Sequence, residues 1–154
     1  MQKVNIVFGT VYGDAEKTAE TVNQAITALG YASQILLPAE LTAYTPSAEQ
    51  WLIVVTSTTG NGDLPDNIEP WFQHLKELAP YSPELKYSVI GLGDSSYEMF
   101  CGAAEKVDAL LQELGAQPLT QTLKIDACET MDPQQEAKQW ISTWHGAAQL
   151  LAEA

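Results

Sequence analysis

At 154 residues the chain suits one domain spanning 1–154, large enough to bury about two-thirds of its unfolded surface. Twenty Asp and Glu against seven Lys and Arg give a formal charge of −13, which excludes nucleic acid and anionic lipid as natural partners and favours basic protein surfaces. Cys101 and Cys128 are too few for a disulfide framework, no apolar run approaches a membrane span, and the opening MQKVNIVFGT has no signal-peptide anatomy, so a reduced, cytoplasmic, monomeric protein is expected.

Val4–Phe8 (VNIVF) is a short apolar run stopped by Gly9 and reads as a buried strand. From Asp14 to Leu29 apolar residues recur at helical spacing (Ala15, Ala19, Val22, Ala25, Ile26, Leu29), and Gly30 stands where a helix stops. Tyr31–Leu37 predicts a second strand before Pro38. Trp51–Thr56 is apolar on both faces, the mark of a central strand in a parallel sheet. A polar loop, STTGNGDLPDN, precedes a helix over about 68–78. Lys86–Leu92 reads as another strand, followed by the loop GDSSYEMFCG and an amphipathic helix over 103–114 that ends at Gly115. Leu119–Ile125 alternates as a strand, and Pro133 opens a last helix reaching about Leu151. Trp140 and Trp144 lie four apart on it and share one face, which is expected to pack on the sheet.

Strands alternating with helices through short connections imply a parallel sheet covered on both faces. Right-handed crossovers then place the strand ends at Gly9, Ser57 and Leu92 on one edge, where ligands of open α/β sheets bind. Nucleotide fingerprints fail at the first and third loops. Gly9 and Gly13 are separated by three residues, not the four of a Walker loop, and no Lys follows Gly13. FGTVYG lacks the G-x-G-x-x-G spacing, and GLGDSS has Ser at the third glycine. A receiver domain needs a phosphorylatable Asp after the third strand, where Thr56-Ser57-Thr58 stand instead.

A monophosphate held by backbone amides at a helix N-terminus remains, since such a nest needs small and hydroxyl residues rather than a cation. Thr10 and Tyr12 offer hydroxyls and Gly13 lets the backbone curl. The alternative use of the same loop is a helix cap by Asp14. In the second loop Gly60 and Gly62 flank Asn61 and permit positive φ, so the Gly60–Asn61 peptide is free to rotate between turn types. In the third, Tyr97 and Phe100 either cover the core or face a planar ring.

FGTVYGDAEKTA, TSTTGNGDLPDN and GLGDSSYEMFCGA, with LKIDA before the last helix, together resemble a flavodoxin over essentially the whole chain. The chain lacks the insertion of long-chain members in the last strand and is most similar to the short MioC/YqcA-type bacterial flavodoxins. The resemblance implies a flavodoxin-like three-layer α/β sandwich, with a five-stranded parallel sheet in order 2-1-3-4-5; flavodoxin is itself the standard example of that order, with FMN at the β1/β3 switch point.

It also implies FMN as cofactor, its phosphate cradled by Thr10, Val11, Tyr12, Gly13, Asp14 and Ala15. Tyr12 and Asp14 depart from the family pattern, S/T-x-T-G-x-T/A, and Asp14 is expected to turn to solvent, toward Lys17. Tyr97 would stack on the outer face of the flavin ring. Asp94, Met99 and Cys101 would meet its pyrimidine edge beside Phe100, and Thr58, Thr59, Gly60, Asn61 and Gly62 would border the other side. Leu64 is expected to cover part of the inner face, where relatives carry an aromatic and this chain has Thr59.

The implied function is one-electron transport at low potential, without substrate turnover of its own. Basic-surfaced reductase and acceptor redox proteins would dock transiently on an acidic rim that includes Asp63, Asp66, Asp94 and Glu98. The alternative is an acidic docking or regulatory module that keeps the fold but holds flavin weakly or not at all. His74 and His145 read as surface or packing residues, Cys101 as a loop packing residue, and Cys128 has no assigned role.

Overall fold

The three long apolar runs become central strands because each can bury both faces. The computed structural model describes residues 2–47 and 49–153. Strands β1 (Lys3–Gly9), β2 (Ala32–Leu36), β3 (Gln50–Ser57) and β4 (Lys86–Gly93) alternate with helices α1 (Asp14–Ala28), α2 (Glu69–Leu78), α3 (Gly102–Glu113) and α4 (Pro133–Glu153). A 3₁₀ helix, Pro38–Ala43, follows β2.

All pairings are parallel, in the order β2-β1-β3-β4, with the last strand outside β4. The two-residue period of a strand sends alternate side chains to opposite faces. Val4, Ile6, Phe8, Ile53 and Val55 therefore pack with α1 and α4 around Trp140 and Trp144. Val7, Leu52 and Val54 pack with α2 and α3 around Trp71, Leu75, Val107 and Leu111. The tryptophan pair lies in the core, as its spacing predicts. Among the described residues no helix is long and apolar enough to cross a membrane.

The strand expected over Leu119–Ile125 forms only from Leu123, and a two-residue strand precedes the expected start. β5 (Gln117–Pro118) and β6 (Leu123–Asp126) both pair with β4 and share the fifth place of the sheet. Pro118 pairs with Tyr87 and Leu123 with Ile90, so Leu119–Thr122 oppose only Ser88 and Val89. The extra residues bulge from the edge, where a disrupted ladder costs least. The bulge also meets a need of β4: the hydroxyl of fully buried Ser88 lies 3.0 Å from Thr120 Oγ1. Past the bulge, β6 runs beside β4 to Gly93↔Asp126. Four strand ends, at Gly9, Ser57, Gly93 and Asp126, thus lie on one edge of the sheet.

Candidate functional site

The first loop, after β1, enters α1 through Gly13, whose φ of 93° is open to glycine and strained for other residues. No side chain caps this helix. Asp14 is its first residue and is exposed, so the alternative reading of Asp14 as a cap is not realised. Among the described residues it forms no ion pair with Lys17, against expectation. The loop is held from within: Gly13 N–H donates to Thr10 Oγ1 at 2.8 Å, and Thr10 N–H donates to Asn67 Oδ1 at 3.0 Å. Ala15 is buried beneath it. Val11 and Tyr12 stand out into solvent, Tyr12 at 92 % exposure.

The second loop, after β3, is a tight hairpin. Thr59 and Asp63 exchange N–H···O bonds of 2.8 and 2.7 Å around Gly60-Asn61-Gly62. Gly60 and Gly62 have φ of 48° and 86°, so the glycine pair is what permits so short a loop. The hairpin lies against the start of α3, where a Cβ on Gly102 would come 2.8 Å from Gly62 Cα. Lys106 on α3 pairs with Asp63 at 3.3 Å. Leu64 turns inward to the core beside Val7 and Trp71, which corrects its expected place over the cofactor. The reason is its position just after the hairpin, where the chain returns to the sheet and the apolar side chain gains full burial.

The third loop, after β4, carries Tyr97 at 70 % exposure, with Met99 exposed and Phe100 half-buried beside it. It ends at Cys101, whose φ of 53° is unusual for a residue other than glycine. Burial pushes the Cys101 thiol up to about 11, and it packs against Gly91 and Gly93. Asp94 Oδ1 accepts from Ser96 N–H at 2.9 Å and from the Cys128 thiol at 2.9 Å. These bonds, the thiol's first, hold the Asp94 carboxyl below the usual carboxylate range.

A fourth loop, after β6, faces the third. Asp126, only 8 % exposed, accepts from Ser95 N–H at 3.0 Å and Cys128 N–H at 2.9 Å. Hydrogen bonds from Ser95 hold its carboxyl below the usual range.

The four loops enclose a cleft of about 870 Å³. Of the residues predicted for the site, Val11, Tyr12, Asp14, Thr58, Thr59, Gly60, Asp94, Tyr97, Met99, Phe100 and Cys101 line it. Thr10, Gly13, Ala15, Asn61 and Gly62 shape the loops without lining the cleft itself. A family model described as Flavodoxin matches residues 6–140. The chain belongs to the flavodoxin family.

It is 42 % identical over 144 residues to flavodoxin YqcA of Escherichia coli K12, covering 94 % of this chain and 97 % of that one. It is 33 % identical over 144 residues to protein MioC of the same strain, with the same coverage of both chains. Its structure matches that of the C101S mutant of a flavodoxin from Pseudomonas aeruginosa with a TM-score of 0.85, at 39 % identity over 95 % of this chain and 98 % of the other. Flavodoxins are electron carriers rather than enzymes, and the family normally binds FMN.

The residues of this flavodoxin fit such a group. The cleft falls within the range of about 300–1,000 Å³ typical of small-molecule sites. One end presents an uncapped helix N-terminus with the amides and dipole that favour an anion. The other presents the flat, exposed face of Tyr97 with Met99 and Phe100.

Sequence reasoning missed one wall of the cleft. Ser57, Leu92, Gly93, Ile125, Ala127, Thr130, Met131 and Pro133 line it as well, the last five from the end of β6, the loop after it and the first residue of α4. The segment carries no glycine turn and no aromatic to flag it. The available signal was topological: a fifth parallel strand delivers its carboxyl end to the same edge as the other three.

Proposed function

We propose that this flavodoxin binds FMN across the cleft and carries single electrons at low potential between a basic-surfaced reductase and acceptor redox proteins. The observation that carries the reading is the placement, on one sheet edge, of an uncapped helix N-terminus and an exposed tyrosine at opposite ends of one cleft. When bound, FMN supplies reversible one-electron redox chemistry at its flavin ring.

The chain supplies the rest. Amides of residues 11–15, curled by Gly13, hold the phosphate, with the Thr10 hydroxyl free to exchange its bond to Gly13 N–H for one to the anion. Tyr97 walls the outer face of the ring. Thr58, Thr59 and Gly60 border the inner side, and the backbone of Asp94, Met99, Phe100 and Cys101 borders the edge. Because Gly60 has no Cβ, its peptide can rotate and point its carbonyl into the cleft, where it would accept a hydrogen bond from the bound group, without the left-handed penalty of about 1–2 kcal/mol that other residues carry. Asp14, Asp94 and the −13 total charge all disfavour added negative charge in the cleft, which lowers the potential of the second electron.

The rim of Asp63, Asp66, Asp94 and Glu98 steers basic partners. Asp63 is partly offset by Lys106, so exposed Asp66 and Glu98 carry more of the steering. Salt is expected to slow electron exchange, and a rate indifferent to ionic strength removes the steering. The test of the whole reading is titration of the purified protein with FMN. A shifted flavin absorption band and quenched flavin fluorescence are expected; unaltered spectra at millimolar FMN leave the acidic docking module in its place.

A further inference from the structure

Cys128 lies outside every sequence motif of the chain, yet it bonds to both carboxylates at the ring end of the cleft. Its N–H reaches Asp126 Oδ1 and its thiol reaches Asp94 Oδ1, each at 2.9 Å. Ser95 N–H shares the same oxygen of Asp126, and Ser96 N–H the same oxygen of Asp94. Tyr97 N–H then closes a turn on the Asp94 carbonyl at 3.1 Å. Among the described residues, Cys128 is the only one of 127–132 whose side chain bonds to the Tyr97 loop.

We propose that Cys128 is a positioning residue for FMN: its thiol latches Asp94, and with it the Tyr97 loop, to the loop after β6 in the shape that receives the flavin ring. The proposal rests on reading the cleft as an FMN site. The chemistry of the position is selective. A neutral donor suits a place beside two acceptor-only carboxylates; an acid there would repel both, and an alanine leaves Asp94 Oδ1 with only the N–H and hydroxyl of Ser96, both on its own loop. A hydroxyl is the nearest replacement. Because a closed latch favours the cofactor, the cofactor must favour the closed latch by the same factor.

Exposure makes the thiol testable. Cys128 is open to solvent and Cys101 is buried, so iodoacetamide on the folded protein alkylates Cys128 first. FMN dissociation constants are measured by fluorescence quenching for the wild type, the alkylated protein, Cys128→Ala and Cys128→Ser. About fivefold weaker binding is expected for the alkylated and alanine forms, and a value within about twofold of wild type for serine. Hydrogen exchange at the Ser95 and Ser96 amides, without added cofactor, is expected to quicken in Cys128→Ala and return toward wild type in Cys128→Ser.

Equal FMN binding by wild type and Cys128→Ala overturns the proposal. Equal weakening by Ala and Ser overturns the donor role of the thiol. A wild type that fails to bind FMN overturns the reading of the cleft, and amide exchange then decides whether the latch exists: unchanged exchange in Cys128→Ala overturns that too.

Discussion

At the α1 end of the cleft, Val11 and Tyr12 stand in solvent, no side chain caps the helix, and the loop is held by two bonds through Thr10. At the α3 end, Asp94 and Asp126 gather donors from Ser95, Ser96 and Cys128, and glycines bring the hairpin onto the helix start at close contact. One end has donors to spare and the other has bound them internally. The difference teaches what the proposed FMN site offers to the two ends of such a molecule. A charged tail is best met by amides that gain their partner only on binding. A flat ring is best met by a wall already shaped, because ordering it at the moment of binding would cost affinity.

The largest effect is expected where the built end is tightest. Gly102→Val places a branched side chain where even a Cβ lies 2.8 Å from Gly62 Cα, and overpacking of this kind costs about 1–3 kcal/mol. A lowered thermal midpoint together with weakened FMN binding is expected, and an unshifted midpoint would show that the hairpin yields freely. Next, Tyr97→Ala should weaken FMN binding by about 1–3 kcal/mol, on the scale of aromatic platforms, with stability unchanged because the ring is exposed. Equal affinity would remove Tyr97 from the wall.

The built end should also be the acid-sensitive one. Hydrogen bonds from Ser95 depress the Asp126 carboxyl in the folded state. Its contribution is therefore complete above the unfolded value, about 3.9, and is lost as pH falls through the lower folded value. Thermal melts of wild type and Asp126→Asn should differ by a constant amount from neutrality down to about pH 5 and converge in stronger acid. A gap that is largest in acid breaks the assignment. The smallest effect belongs to the bare end: Asp14→Asn removes a like charge from the phosphate loop and should tighten FMN by about 0.3–1 kcal/mol at low salt, fading as salt is added. Weaker binding by this variant would mean that Asp14 supports the loop rather than opposing its ligand.

The layered fold was legible because its causes are local. VNIVF and WLIVVT can be nothing but strands buried on both sides, and the apolar rows of α1 and α3 repeat at helical spacing. Handedness narrowed the possible topologies, and the flavodoxin resemblance implied the order of the sheet. The break at Leu119–Thr122 was not legible, since Leu119, Leu123 and Ile125 keep to one face across it, with only Gln121 out of step, and the buried hydroxyl that the segment meets, Ser88, sits on another strand. Leu64 was misplaced for a similar reason: its neighbours in sequence are polar loop residues, and only the return of the chain to the core shows where it goes.

Of the cleft, three loops announced themselves through glycines and aromatics. The fourth did not, because Asp126 and Cys128 are ordinary residues whose partners lie some thirty positions earlier in the chain.

The sequence by itself determined which segments are strands and helices, the acidity of the surface, and the lack of a cation in the loop before α1, because each depends on residue type and short-range spacing. Only the tertiary structure decided that Asp14 leaves α1 uncapped, that the last strand is divided, and that Cys128 bonds to the carboxylates of Asp94 and Asp126. Those outcomes depend on hydrogen bonds and contacts between segments far apart in the chain, whose geometry exists only after the sheet has aligned its four strand ends.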